Sequence, residues 1–76
     1  MINELDRVIL TDNLAGTLFV KGDVGTVVFI HENNRAFEVE FFAVDGSTIS
    51  VETVPAEKLI PAKGIKKVLH INDLAA

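Results

Sequence analysis

The chain contains several short runs that are rich in apolar and β-branched residues and separated by turn-forming residues, and such runs are typical of strands. The first such segment, residues 7–10, places Val8 and Leu10 on one face, which we expect to point inward. Longer segments follow around residues 26–32, 35–41 and 49–54, and in the second of them apolar and polar residues alternate with the period of two of a strand buried on one face. The pattern therefore predicts an all-β chain.

Three glycines, Gly22, Gly25 and Gly46, are predicted to set the turns and close contacts of the sheet. In Lys21-Gly22-Asp23, glycine suits the third position of a type II turn, where φ is positive, and Lys21 takes the second position. Gly25 opens the next strand, where the lack of a side chain lets another backbone come close or permits a bulge.

The dipeptide Asn33-Asn34 predicts a two-residue type I′ turn, because Asn tolerates positive φ better than most residues. This turn pairs three sets of residues across the hairpin: Ile30 with Phe37, Val28 with Val39, and Thr26 with Phe41. The inner face is then apolar. The opposite face of the hairpin carries a mixed set: Val27, Phe29, His31, Ala36, Glu38, Glu40 and Phe42.

The segment Val44-Asp45-Gly46 allows two registers for the second hairpin. A two-residue Asp-Gly loop would set Val39 against Glu52 and direct a carboxylate into the core, which is costly without a partner. A three-residue loop with its glycine in the left-handed conformation pairs Val39 with Val51 instead. We therefore predict the second register, which places Glu52 on the outer face across from Glu38.

Residues 54–59 predict the end of a strand and one short helical turn, with Pro55 at the first helical position and Leu59 directed to the core. A short final strand follows at residues 60–61. After the first strand, an unusually apolar loop is expected to fold over one end of the sheet or, in part, to serve an interface. These features describe a single small five-stranded SH3-like barrel with one short helical turn before the last strand. Residues 62–76 are expected to form a C-terminal extension or an added strand.

The composition bounds the function. The chain has 76 residues, of which 49% are apolar, so some apolar side chains are expected to stay exposed or to be covered by a partner. Its net charge of −4 disfavours nucleic acid and anionic membrane as partners. There is no cysteine, and no apolar run is long enough to span a bilayer. The first residues lack the basic region and apolar core of a signal peptide, so a cytoplasmic location is expected.

A set of short motifs resembles known families: Leu10-Thr11-Asp12, Lys21-Gly22-Asp23-Val24-Gly25-Thr26-Val27-Val28, Phe37-Glu38-Val39-Glu40-Phe41, Asp45-Gly46 and Thr48. The second motif is similar to the glycine-centred motif of KOW-type barrels in ribosomal and transcription proteins. More closely, residues 4–60 resemble a family of small uncharacterised bacterial proteins with no established activity. The resemblance implies an interaction module, often from mobile or toxin-adjacent gene neighbourhoods. Phe29 stands where that family commonly has a polar residue, which indicates a surface particular to this chain.

Candidate chemistry is sparse. The two histidines, His31 and His70, have no partners at the spacing of a metal site, and no nucleophile motif is present. We therefore predict no catalytic residue, no metal site and no cofactor. Lys63, Lys66 and Lys67 form a basic cluster that is interpreted as a solvated tail, as edge-strand protection or as a contact with an acidic partner.

The predicted outer face is the candidate binding surface, and it combines apolar and acidic side chains: Val27, Phe29, Phe42, Glu38, Glu40 and Glu52. Carboxylates alone are typical of a solvated face, of an acidic docking patch or of an acid/base pair or cation site. Apolar side chains beside them resemble an interface core with a polar rim. We therefore predict a non-enzymatic protein-interaction module that forms homo-oligomers. The alternative is a KOW-type nucleic-acid or ribosome-binding module, which a basic strip of Arg7, Lys21 and Arg35 would support.

Overall fold

The computed structural model describes residues 2–62, which form a five-stranded antiparallel sheet. The strands are β1 (Arg7–Leu10), β2 (Val24–Ile30), β3 (Ala36–Phe42), β4 (Thr48–Pro55) and β5 (Leu59–Pro61). Single 3₁₀ turns lie at Glu32–Asn34, between β2 and β3, and at Ala56–Lys58, between β4 and β5. The all-β prediction is confirmed, and so is the short helical turn before the last strand. The predictions for the lysine cluster, for His70 and for the C-terminal extension, apart from Ala62, lie outside the described residues.

The strands are arranged in the order β4-β3-β2-β1-β5, so β1 is flanked by β2 and β5. β1 has the predicted bounds, and Val8 and Leu10 are buried as expected. The 3₁₀ turn before β5 starts one residue later than predicted, because Pro55 has an extended backbone and precedes the turn. The described residues contain no helix of the length and apolarity that crossing a membrane requires.

The core lies on one side of the sheet. Its buried apolar residues come from all five strands and from the loop between β1 and β2: Val8, Leu10, Leu14, Phe19, Val27, Phe37, Val39, Phe41, Val54 and Leu59. The Phe19 ring stacks on the Phe41 ring with centroids 4.1 Å apart, so the apolar loop covers part of the core as predicted. Leu18, in the same loop, is 88% exposed and takes no part in the core.

The turn of the first hairpin agrees with the sequence prediction. Asn33 and Asn34 have φ angles of 62° and 55°, and positive φ at both positions is what a type I′ turn requires. The adjacent pair, Ile30 opposite Phe37, is also the predicted one.

Further along this hairpin, β2 contains one extra residue, Val28, and the register shifts there. Val27 consequently pairs with Val39 and is completely buried. The predicted pairs of Val28 with Val39 and of Thr26 with Phe41 are wrong, and so is the prediction that Val27 lies on the outer face.

The second hairpin has the predicted loop but not the predicted register. Gly46 has a φ of +89°, and its N–H donates to the carbonyl three residues earlier at 2.9 Å, which closes a turn with a left-handed glycine. β4 then contains an extra residue, Ile49, which shifts the pairing by one position. Val39 therefore pairs with Glu52, and the predicted pairing with Val51 is wrong.

Glu52 lies on the inner side of the sheet, on the strand at one end of the strand order. It is only half-buried, and the Ser50 hydroxyl donates to its Oε2 at 2.9 Å. The desolvation cost that argued against this register does not arise, because the carboxylate keeps contact with water. The prediction of Glu52 across from Glu38 on the outer face is therefore wrong, and Thr53 stands there instead.

Gly22 and Gly25 have the predicted backbone roles. Gly22 has a φ of +98°, and the N–H of Asp23 donates to the carbonyl three residues earlier at 3.0 Å. Gly25 faces β3 so closely that a Cβ atom there would collide with Val39 Cγ1 and lie 2.9 Å from Glu40 O. These two glycines determine where β2 begins and how closely it packs on β3.

Candidate functional site on the outer face

The side of the sheet opposite the core, termed the outer face, is built from rows of side chains. Residues that pair directly across neighbouring strands project to the same side of a sheet. One row contains Phe29, Glu38 and Thr53. The next row contains Arg7, Thr26, Glu40 and Val51. Beyond it, Phe42 lies opposite Thr48.

Apolar side chains on this face are well exposed. Phe29 is 51% exposed, Phe42 is 43% exposed, and Val51 is 48% exposed. Phe29 and Phe42 lie on either side of the row that contains Glu40. An isolated apolar residue on a surface is ordinary, but three of them on one face form an apolar surface that association can bury.

Hydrogen bonds hold the carboxylate of Glu38 in place. The Thr53 hydroxyl donates to Glu38 Oε2 at 2.6 Å, and His31 Nε2 lies 2.6 Å from the same oxygen. The hydrogen bond from Thr53, followed by that from His31, lowers the pKa of Glu38 below its usual value. The His31 ring also makes an edge contact with Phe29, at 5.1 Å between centroids. The end of the face near the first hairpin turn is thus an ordered cluster.

Glu40 is held by the second hairpin. The Thr48 hydroxyl donates to Glu40 Oε2 at 2.8 Å, across β3 and β4. A carboxylate can accept several hydrogen bonds, so Glu40 keeps acceptor sites open to a partner.

Arg7 is a member of the outer face that the sequence analysis did not place there. It is exposed, pairs with Thr26, and its guanidinium makes no hydrogen bond or ion pair within residues 2–62. The sequence indicates this position, because successive side chains of a strand point to opposite faces. Val8 and Leu10 are buried, so Arg7 points to the face opposite the core.

A cavity of about 460 Å³ opens beside Arg7, between the start of β2 and the loop after β3. Its walls come from β1, the start of β2, the end of β3 and the loop after β3: Arg7, Val24, Gly25, Thr26, Phe42, Val44 and Gly46. The lining thus combines the cation of Arg7 with the apolar side chains of Val24, Phe42 and Val44 and with polar groups such as Thr26.

Four of the six residues predicted for the interface share this face: Phe29, Glu38, Glu40 and Phe42. Val27 belongs to the core, and Glu52 belongs to the opposite side of the sheet. Within residues 2–62, no three acidic or histidine side chains are grouped so that they could hold a metal ion. Aromatic residues and Arg are enriched in protein interfaces, and carboxylates belong to the polar rim around them.

Among the comparisons with known proteins, one family profile matches this chain. The search among curated proteins returns no match, and the search among solved structures returns none either. The family profile, by contrast, matches the chain from before β1 to the end of β5, which includes every strand and the whole outer face. The chain therefore belongs to the family described as Domain of unknown function (DUF4926), which matches residues 4–61.

Proposed function

We propose that this protein is a non-enzymatic interaction module that binds protein through its outer face and associates with a second copy of itself. The observation that carries the proposal is the presence of two half-exposed phenylalanines, Phe29 and Phe42, on a face whose carboxylates are held by hydrogen bonds. Interfaces combine an apolar centre with a polar rim, and this face has both components.

The small size of the chain limits how much apolar surface it can bury. A domain of 76 residues has too little interior to bury all of its apolar side chains. Removing a Phe side chain from water is worth about 1.5–3 kcal/mol, so association through Phe29 and Phe42 recovers energy that the monomer leaves unused. Glu38 and Glu40 are already ordered, so less side-chain entropy is lost when a partner binds them.

We further propose that the sheet closes into the small SH3-like barrel that the sequence pattern describes. The strand order, with β1 between β2 and β5, and the 3₁₀ turn between β4 and β5 support this architecture. The bacterial origin, the mobile or toxin-adjacent gene neighbourhood and the cytoplasmic location stay predictions from the sequence.

A nucleic-acid-binding function of the KOW type has less support. Lys21 lies just before β2, and Arg35 lies just after the 3₁₀ turn that follows β2. The two cations therefore flank opposite ends of a seven-residue strand. At about 3.3 Å per residue they are too far apart to form one compact basic strip. Glu38 and Glu40 also occupy the adjoining surface.

The proposal is tested by the substitution Phe29→Asp, which places a charge at the apolar position of the face. We expect the variant to fold normally, because an exposed Phe supports no core, and to lose association. Sedimentation velocity measures the association, and circular dichroism with urea titration measures the fold and its stability. Leu18→Asp is the matched control, since it introduces the same charge at an exposed apolar side chain in the loop between β1 and β2.

Each result has a defined meaning. An associated wild type, a monomeric Phe29→Asp variant and an associated Leu18→Asp variant support the proposal. A wild type that sediments as a monomer at every concentration overturns self-association. If Phe29→Asp and Leu18→Asp weaken association equally, the loss comes from added charge and the outer face is not the interface.

A further inference from the structure

One row of side chains on the outer face carries opposite charges on the two sides of Thr26, which lies on the central strand β2. Arg7 on β1, Thr26 on β2 and Glu40 on β3 pair in one line across the sheet. Neighbouring strands are spaced by about 4.8 Å, so the cation and the carboxylate flank Thr26 at similar distances. β2 therefore separates a basic half of the row from an acidic half.

We propose that a second copy packs face to face on this surface about a two-fold axis parallel to β2. Such an axis exchanges the two sides of the strand, so Arg7 of each copy lies opposite Glu40 of the other. This inference rests on the proposed self-association and specifies its geometry. The interface is isologous, and both charge pairs form at once.

The charges on the row select this axis. A two-fold axis across the strands, along the same row, would set Arg7 against Arg7 and Glu40 against Glu40. Like charges at a face-to-face contact repel, whereas the strand-parallel axis pairs opposite charges at both positions. Arg7 has no ionic partner within residues 2–62, and Glu40 has acceptor sites beyond the one that Thr48 uses.

The neighbouring rows are compatible with the same axis. Phe29 lies on β2, one row from Thr26, so it stands close to the axis and meets Phe29 of the second copy. Two aromatic rings in contact form a favourable pair at an interface centre. On the other side of the row, the cavity beside Arg7 gives room for apolar side chains of the second copy.

The arrangement predicts a specific charge-exchange pattern. Arg7→Glu and Glu40→Arg should each weaken association by about tenfold or more, because each substitution creates two like-charge contacts. The double variant Arg7→Glu/Glu40→Arg should restore association to near the wild-type level, since it recreates both pairs with the signs exchanged. Lys21→Glu changes the charge of the chain as Arg7→Glu does, but it lies in the turn before β2 and should have little effect.

Sedimentation equilibrium of the wild type, the two single variants, the double variant and Lys21→Glu provides the test, with circular dichroism as the check on folding. Rescue in the double variant supports the proposed axis, because a merely structural effect of either residue would persist. In another outcome, the wild type associates while neither single variant weakens association more than Lys21→Glu does. That result overturns this geometry and leaves self-association standing. A monomeric wild type overturns both proposals. A mixture of Arg7→Glu and Glu40→Arg proteins is a second test, because a mixed dimer pairs opposite charges at both contacts and should associate more tightly than either variant alone. A mixture that associates no better than the single variants would also overturn the proposed axis.

Discussion

Glu38 shows how one side chain on an exposed sheet face becomes ordered. Its carboxylate accepts a hydrogen bond from Thr53 and lies 2.6 Å from His31 Nε2. Both contacts favour the charged form and lower the pKa of Glu38. Because the folded pKa is below the usual carboxyl value of about 4.3, the stabilising contribution is complete above that pH and is lost as the pH falls through the folded pKa.

The substitution Thr53→Val tests this account. It removes the largest cause of the lowered pKa, so we expect the pKa of Glu38 to rise toward its usual value and the acid-side loss of stability to become smaller. Carbon-13 NMR of the Glu38 carboxyl during a pH titration measures the pKa, and urea titrations at several pH values measure the stability. Thr48→Val is the matched control, because its hydroxyl bonds to Glu40 and its loss should leave the Glu38 titration unchanged. An unchanged Glu38 pKa in Thr53→Val would contradict the assigned cause.

The close approach of β2 to β3 depends on the absence of a side chain at Gly25. We expect Gly25→Ala to destabilise the fold by about 1–3 kcal/mol, the range for overpacking a close-packed site. The added Cβ would collide with Val39 Cγ1 and lie 2.9 Å from the backbone oxygen of Glu40, which cannot move aside as a side chain can. Urea titration followed by circular dichroism measures the loss.

Gly46→Ala separates steric overlap from backbone strain. Gly46 has a φ of +89° and no atom within 4 Å of an added Cβ, so its substitution introduces strain only and should cost about 1 kcal/mol. Combining Gly25→Ala with Val39→Ala should cost less than the sum of the two single changes, because the collision with Val39 is removed. Strict additivity would show that Gly25 does not pack against Val39.

The two hairpins show which parts of an element a sequence can predict. The turn at Asn33-Asn34 and the left-handed Gly46 are set by local backbone preferences, and both are present as predicted. The registers beyond them depend on the extra residues Val28 and Ile49. Val27 and Val28 are equally apolar and β-branched, so alternation cannot tell which of them faces the core.

The position of a strand in the sheet decides how much of each side chain is buried, and therefore which residue types the strand can carry. The cost of burying a carboxylate predicts that Glu52 avoids the inner side, yet β4 lies at one end of the strand order and leaves Glu52 half-exposed there. Arg7 joins the outer face only because β1 pairs with β2, a contact between segments that are distant in sequence. Local sequence patterns predict the strands and the core residues of β1. Which residues lie together on the outer face depends instead on the order of the strands in the sheet.

The acidic net charge of the chain disfavours the alternative function, nucleic-acid binding. We expect negligible binding to duplex DNA or RNA at about 0.15 M salt, because affinity for a phosphate backbone requires several cations that neutralise phosphates together. The net charge is −4, and Lys21 and Arg35 flank opposite ends of β2. Fluorescence anisotropy with labelled duplexes, repeated at several salt concentrations, measures the affinity and its salt dependence. The variant Glu38→Lys/Glu40→Lys is the positive control, since it places two cations on the outer face beside Arg7 and should raise the affinity at low salt. Tight and steeply salt-dependent binding by the wild-type protein would instead favour the nucleic-acid-binding module over the protein-binding one.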